Sequence, residues 1–455
     1  MAEAGERFDL ELTDLARDGS AVGRIDGRVV FVAGALPGDR ARVRVTAVRR
    51  GRLEARLEQL LEPSPQRRRP PCILADPCGG CTLQALDDAA ERRWKERHLA
   101  ETLRRIGALE PVVRSLPSPQ ASLGYRNRAV IPLERTAAGR LRAGYYRRGS
   151  HRIVNMNRCP VLDPRLDGLI APLKADLEAS GWPVDRHAAA AAGGGLRHLA
   201  LRVGHHTGEV LIGLVAAHDR LPGLEDRAAA WMERWPAVVG VALNLQPEAT
   251  NRLLGEETRT LAGRGWYRER FAGLTYRIGL DTFFQVHTLE AERVVGQLRE
   301  VLGRPAAGGT LVDAYCGIGT FSLPLAADGW RVLGLEQHPG AVALATRNAA
   351  ANDLEERSTF RAGTVGESLA DALEASAPVQ ALLLDPPRRG LEEAALAAIR
   401  SRPPERVLYL SCDPATLARD LHDLCGEAYR LRWVQPLDFF PNTTHVEALA
   451  LLERS

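Results

Sequence analysis

Thr310–Ala326 reads TLVDAYCGIGTFSLPLA. An apolar run ends at Tyr315-Cys316, the Gly317-Ile318-Gly319 turn interrupts it, and a second apolar stretch follows from Ser322. Strand, glycine turn and helix in that order let the backbone approach a ligand closely. The pattern recurs downstream. RVLGLE ends at Glu336, ALLLDPP passes through Asp385, and RVLYLSC ends at Cys412. Helical stretches, among them His338–Asn352 and Pro414–Cys425, separate these runs. Apolar strands alternating with helices predict an α/β fold with a parallel, doubly wound, Rossmann-like sheet. HVEALALLE, carrying Glu447, reads as an added edge or hairpin strand.

In such a sheet, ligands bind at the carboxyl ends of the strands. Tyr315, Gly317, Glu336 and Asp385 all fall there, and an acidic residue such as Glu336 suits ribose hydroxyls. The full dinucleotide fingerprint is missing, because Ser322 stands where its last glycine belongs. S-adenosylmethionine is therefore the favoured nucleoside ligand over a nicotinamide dinucleotide.

Cys412 ends a strand at the same edge. Asp413 caps the next helix and Pro414 suits its first turn. A thiol at a helix N-terminus is expected to have a lowered pKa. Glu447 enters a very apolar strand, which is costly for a carboxylate without a partner or a role. Methylation of uracil carbon 5 needs these parts together. A thiolate adds to carbon 6, carbon 5 takes the methyl group, and a base removes the carbon-5 proton.

Working outward toward the N-terminus, residues 6–61 alternate apolar and polar positions between turn signals at Asp26-Gly27 and Pro37-Gly38-Asp39. They predict a small antiparallel barrel of about five strands. Its arginines, Arg42, Arg44, Arg49, Arg50 and Arg52, suit phosphate contacts. Residues 63–71 read as a Pro/Arg linker, and residues 84–106 as a long charged helix. Residues 117–265 mix short strands with loops, and Ala188–Gly195 reads as a flexible excursion.

The 60 Lys+Arg against 57 Asp+Glu leave a net charge of only +3, so total charge does not announce a nucleic-acid partner. No apolar run is long enough to span a bilayer, and the first residues carry no signal-peptide pattern. A soluble, cytoplasmic protein is expected. Seven cysteines, an odd number, argue against a disulfide framework. Cys72, Cys78 and Cys81, with Cys159, suit zinc or an iron–sulfur cluster.

Five motifs carry a resemblance that spans nearly the whole chain: Phe283-Phe284-Gln285-Val286, DAYCGIGTFSLPLA, the Asp385–Gly390 segment, LYLSCDPATLARDL and LDFFPNTTHVE. On them the sequence resembles the RNA uracil-5-methyltransferase family, and residues 6–61 look like its RNA-binding TRAM barrel. The resemblance implies Cys412 as nucleophile and Glu447 as base. It implies that Gln285, Tyr315, Glu336 and Asp385, with the Gly317 turn, contact S-adenosylmethionine, and that Phe283 and Arg388 lie with the substrate. It favours a [4Fe–4S] cluster over zinc on the four cysteines. It also implies a monomer acting on structured RNA, ribosomal RNA before transfer RNA.

Three domains are expected: a barrel at 1–62, a small mixed α+β central domain at 69–84 and 117–275, and a methyltransferase domain at 85–116 and 276–455. Thr320, Asn442 and the Gly363-Thr364 pair depart from the family's usual residues. Two alternatives stand beside this reading. An exocyclic-amine methyltransferase would have an aromatic residue where Arg388 stands and no task for Cys412. A non-catalytic RNA-binding factor would not need Cys412 and Glu447 together.

Overall fold

The computed structural model describes every residue except 1–2, 186–193, 249, 251, 306–307 and 427, so most of the Ala188–Gly195 excursion lies outside the described residues. The chain forms two compact units. One comprises residues 1–98, 146–152 and 440–445, the other residues 99–145, 153–439 and 446–455.

The first unit opens with β1 (Arg7–Glu11), β2 (Asp14–Leu15), β3 (Ala21–Ile25), β4 (Arg28–Ala33), β5 (Arg40–Arg49) and β6 (Arg52–Glu62). They form one sheet of six strands, one more than the sequence suggests, in the order β1-β5-β6-β4-β3-β2. It is not wholly antiparallel, because β4 pairs with β6 in parallel. The sheet curls until β3 meets β1. A Cβ on Gly23 would lie 2.5 Å from Leu10 Cδ1, so glycine permits that closure.

The arginine-rich strands are laced with acids. Arg42 makes a forked pair with Asp9 at 2.7 and 2.8 Å. Arg44 meets Glu58, and Arg49 and Arg52 meet Glu54. Exposed pairs of this kind are worth only about 0–1 kcal/mol.

The Pro/Arg stretch after β6 is anchored rather than free. Asp39, fully buried, accepts Leu36 N at 2.7 Å, Ser64 N at 2.9 Å and Arg67 Nη2 at 2.5 Å. A residue read from sequence as part of a turn thus ties the turn to the segment after β6. A cavity of about 380 Å³ lies between this edge of the barrel and the following helix, bordered by Gln66, Arg93 and Trp94.

Helix α1 (Asp88–Gly107) starts where Asp87 accepts Ala90 N at 2.8 Å. Its buried stripe runs Ala90, Glu91, Trp94, Lys95, Leu99 and Leu103. Glu91 and Lys95 form a buried pair at 2.6 Å. Glu91 also accepts Asn442 N at 2.9 Å, and Lys95 donates to Phe440 O at 3.3 Å. Asn442 has φ +67, a left-handed conformation that asparagine tolerates.

The second unit holds two larger sheets. The first is built from β7 (Arg128–Arg135), β8 (Leu141–Ala143), β9 (Leu196–Val203), β10 (Val210–Ala216), β11 (Val238–Leu245) and β12 (Glu257–Gly263), in the order β12-β11-β10-β9-β7-β8. Helices α2 (Pro164–Ala179) and α3 (Leu224–Arg234) pack on it. A hairpin, β13 (Trp266–Phe271) and β14 (Leu274–Gly279), and helix α4 (Thr288–Leu302) lead to the second sheet.

That sheet contains β15 (Thr310–Ala314), β16 (Arg331–Glu336), β17 (Ser358–Ala362), β18 (Val379–Leu384), β19 (Arg406–Ser411), β20 (Tyr429–Leu437) and β21 (Glu447–Arg454). Its order is β17-β16-β15-β18-β19-β21-β20. The alternating helices are α5 (Ser322–Ala327), α6 (Pro339–Ala350), α7 (Val365–Ala375), α8 (Glu393–Ser401) and α9 (Pro414–Leu424). Strands β15 to β19 are parallel, whereas β21 runs antiparallel to both its neighbours. The hairpin expected at β21 is present, but β21 is interior and β20 takes the edge. Six of its eight residues are buried, which explains its nearly continuous apolar run. No helix among the described residues is long and apolar enough to cross a membrane.

Asp39→Ala would leave Arg67 and two backbone N–H groups without their acceptor. It should destabilise the protein by on the order of 3 kcal/mol. A urea titration followed by circular dichroism checks this. An unchanged midpoint would mean that the anchor contributes nothing.

Candidate active site

The site is built at the carboxyl edge of the parallel sheet, all within the second unit. After β15 the chain turns sharply, with Tyr315, Gly317 and Gly319 at φ +71, +56 and +79. Tyr276 supports the turn by donating its hydroxyl to Gly319 O at 3.2 Å. A Cβ on Gly317 would meet nothing within 4 Å, so the space beside the turn is open. Glu336, at the end of β16, accepts Gly317 N at 3.1 Å and His338 N at 2.8 Å. A carboxylate has about four acceptor sites, so capacity remains for ribose hydroxyls. The Tyr315 hydroxyl is buried and has no hydrogen-bond partner among the described residues. An open turn, an acceptor at the next strand end and an orphaned hydroxyl fit a nucleoside ligand.

Cys412 follows β19 at the start of α9, where Asp413 caps Ala415 N at 2.9 Å and Pro414 begins the helix. Register brings in its partner. Ser411 pairs with Ala448 across β19 and β21, so one further step sets Cys412 opposite Glu447. Glu447 is buried at 7% exposure, with Asp438, also buried, close enough to act on it. Asp385, at the end of neighbouring β18, acts on both Cys412 and Glu447, as does the exposed Arg388.

The electrostatics depart from the sequence expectation in one respect. The dipole of α9 alone would lower the Cys412 pKa. Instead the thiol is pushed up to about 11, first by burial and then by Glu447 and Asp385, against the pull of Arg388. Burial and two acids outweigh the partial charge of a helix end. Burial raises Glu447 to about 8, with Asp385 adding to it, and raises Asp385 to about 7, with Glu336 adding. Asp313, inside β15, reaches about 8 from burial, with Asp385 and Glu336 adding. Neutral acids therefore persist here near pH 7.

Phe283 is 60% exposed, and Gln285 is buried. The segment that carries them is held by Asn127, which sequence reasoning missed. Asn127 Nδ2 donates to Gln285 O at 2.8 Å and to Thr288 Oγ1 at 3.0 Å, while its backbone N–H donates to Val286 O. Nothing in Arg126-Asn127-Arg128 announces that role, since the contact spans 158 residues.

The cysteines divide between the units, Cys72, Cys78 and Cys81 in the first and Cys159 in the second. Among the described residues no three His, Cys, Asp or Glu side chains gather as metal ligands, so the four-thiol set expected from sequence is not seen assembled. The donor chemistry still suits a cluster. Cys72 Sγ accepts Leu74 N, and Cys78 Sγ accepts Gly80 N, both at 3.4 Å. Amide hydrogen bonds to sulfur are a feature that tunes iron–sulfur sites. Gly79 N donates to Tyr146 O at 2.9 Å and pins the loop between Cys78 and Cys81.

Because Glu447 binds its proton more tightly folded than unfolded, it lowers stability as pH rises from about 4.5 through about 8. Asp385 and Asp313 act in the same direction. Glu447→Gln removes one such penalty. Relative to wild type it should be stabilised by about a few kcal/mol at pH 8.5 and by much less at pH 5. Melting temperatures across that range check it, and a pH-independent difference would refute it.

Residues 270–455 match the family described as tRNA (Uracil-5-)-methyltransferase, and residues 2–57 match the TRAM domain. A protein of Parasynechococcus marenigrum described as an uncharacterized RNA methyltransferase is 51% identical, over 99% of this chain and 96% of that one. Another so described, from Halalkalibacterium halodurans, is 34% identical over 98% and 96%. The solved structure of Pyrococcus abyssi tRNA (uracil-54, C5)-methyltransferase in complex with S-adenosyl-L-homocysteine has a TM-score of 0.75. It is 27% identical and covers 98% of this chain and 100% of its own. With a TRAM barrel first in its sequence and the methyltransferase sheet last, the chain belongs to the S-adenosylmethionine-dependent RNA uracil-5-methyltransferases.

Proposed function

We propose that the protein methylates carbon 5 of one uridine in structured RNA through a covalent bond between Cys412 and carbon 6. The register that sets Cys412 opposite the buried Glu447 carries this reading. S-adenosylmethionine supplies an electrophilic methyl group on a sulfonium. The Cys412 sulfur, once deprotonated, adds to carbon 6 and makes carbon 5 nucleophilic. Carbon 5 takes the methyl group and S-adenosylhomocysteine leaves. Glu447 then removes the carbon-5 proton, and the carbon–sulfur bond breaks to return Cys412. A base raised to about 8 is matched to that task near neutral pH.

In this reading Gln285, Tyr315, Gly317, Glu336 and Asp385 hold the methyl donor. Phe283 and Arg388 meet the flipped uracil, and the barrel grips RNA phosphates. The weak surface pairs of Arg42, Arg44, Arg49 and Arg52 exchange for phosphate at little cost. Residues 1–62 form the RNA-binding domain, residues 69–84 with 117–275 the central one, and residues 85–116 with 276–455 the catalytic one. The enzyme acts as a cytoplasmic monomer. Ribosomal RNA is the favoured substrate. Transfer RNA is the second reading, supported by the likeness to the Pyrococcus abyssi tRNA (uracil-54, C5)-methyltransferase. Mapping 5-methyluridine in both RNAs with and without the gene decides between them.

RNA carrying 5-fluorouridine at the target should trap wild-type enzyme as a band stable to denaturing electrophoresis, because fluorine does not leave as a proton does. Cys412→Ala should form no such band. Glu447→Gln should accumulate the same adduct on ordinary uridine. A trapped complex in Cys412→Ala would rule out Cys412 as the nucleophile.

We also propose that Cys72, Cys78, Cys81 and Cys159 hold a [4Fe–4S] cluster in a structural role, since methyl transfer needs no electron. Anaerobically purified protein should contain about four iron and four sulfide per chain and absorb broadly in the visible. One equivalent of zinc without iron would replace the cluster by a zinc site.

A further inference from the structure

Among the described residues, two arginines near Phe283 lack a carboxylate partner, and one of them, Arg202, hydrogen-bonds the backbone of Thr282. Arg128 opens β7, and the antiparallel register of β7 with β9 sets it directly opposite Arg202. Like charges facing each other across a strand pair are destabilising. Arg202 is 2% exposed, and Tyr267, fully buried, lies against it. Its Nη2 donates to Thr282 O, and its side chain also hydrogen-bonds the Tyr267 hydroxyl. Among the described residues neither arginine takes part in an ion pair. Asp281, the acid whose field reaches both, is exposed and accepts Thr258 Oγ1 at 2.9 Å.

The same sheet treats another buried arginine differently. Arg197, 1% exposed on β9, meets Asp185 at 3.1 Å and donates to Gln246 O and Glu248 O at 2.7 Å each. The fold therefore compensates a buried guanidinium where its role is internal. At Arg128 and Arg202 it offers the Tyr267 hydroxyl, a backbone carbonyl and the field of Asp281, but among the described residues no carboxylate within ion-pair distance. The charge of Arg202, and burial after it, bring Arg128 down to about 9. Arg202 also ties the pair to the backbone of Thr282, the residue before the exposed ring of Phe283. Sites for unstacked RNA combine these two elements, an aromatic face for a base and a guanidinium for the adjoining phosphate.

We propose that Arg128, backed by Arg202, binds a phosphodiester of the RNA strand next to the base that meets Phe283. The proposal rests on Phe283 facing RNA, as in the reading above. An oxyanion seated there supplies the negative charge that the protein omits, and a guanidinium can hold it through two parallel hydrogen bonds. Arg202 is the positioning residue, fixing Thr282, and Arg128 makes the contact.

Full-length protein is titrated with a fluorescent 12-nucleotide oligouridylate from 50 to 200 mM NaCl. Arg128→Gln should bind about 5- to 10-fold more weakly at low salt, with a slope of log affinity against log salt shallower by about 0.7, one single-strand phosphate. Arg128→Lys should keep most of the slope. S-adenosylhomocysteine affinity should stay within about twofold in both variants. An unchanged slope in a folded Arg128→Gln overturns the proposal, and parallel loss of S-adenosylhomocysteine binding assigns the pair to the methyl donor instead. If Arg128→Gln does not fold, wild type is titrated with oligouridylates bearing one uncharged methylphosphonate at each linkage in turn. One linkage must then weaken binding and flatten the slope more than the others do, or the proposal fails. Wild type that makes 5-methyluridine yet shows neither effect loses only this inference. Wild type that makes none in any RNA overturns the enzymatic reading itself.

Discussion

The antiparallel pairing of β21 with β19 is the constraint on which the site depends. A doubly wound sheet made only of parallel strands brings strand ends together from one direction. Inserting β21 in the opposite sense brings a strand start, Glu447, to the edge where β19 ends. Because β20 covers β21 on its other side, that start is interior, and the Glu447 carboxyl is buried beside Cys412. A slip of one residue would turn Glu447 to the opposite face of the sheet.

Burying acids at this edge has an electrostatic consequence. Asp313, Asp385 and Glu447 all hold protons more tightly than ordinary carboxyls. Arg388, the cation whose field reaches Cys412 and Glu447, sits exposed at the rim. Such an edge is poorly suited to an anionic ligand and well suited to a cationic one. A sulfonium arriving there favours ionisation of both the acids and the thiol. The high pKa of Cys412 is thus a property of the protein alone. With Cys412 as the proposed nucleophile, a thiol held protonated in this way would stay unreactive until the methyl donor is seated.

Much of this was legible in the sequence. The strand ends at Tyr315, Glu336, Asp385 and Cys412 could be read because apolar runs and glycine turns mark them locally. Strand β17, Ser358–Ala362, could not, because a short exposed strand has little apolar signal. The interior position of β21 was missed because periodicity states burial and not neighbours. Asp39 reads as a turn residue and is also an anchor for Arg67, 28 residues away. The raised thiol pKa escaped for the same reason: Asp385 and Glu447 lie 27 and 35 residues from Cys412, and only the folded register brings them to it.

Charge is distributed unequally between the two places proposed to meet RNA. On the barrel each of Arg42, Arg44, Arg49 and Arg52 has an acid beside it, so its field is short-ranged and its pairs are weak. Next to Phe283, where Arg202 holds Thr282 O, Arg128 and Arg202 are paired across β7 and β9 and the charge of one acts on the other. The first arrangement, meeting RNA as proposed, would hold it loosely and tolerate many registers, because exchanging one exposed partner for another changes little. The second gains most when a single phosphate arrives at a single place, because only there is an unfavourable interaction relieved. If both proposals hold, loose attachment through the barrel and a localised demand for charge near the target base would together let the enzyme sample a folded RNA and still stop at one nucleotide. Contacts made at such a stop would help offset the unstacking of the base.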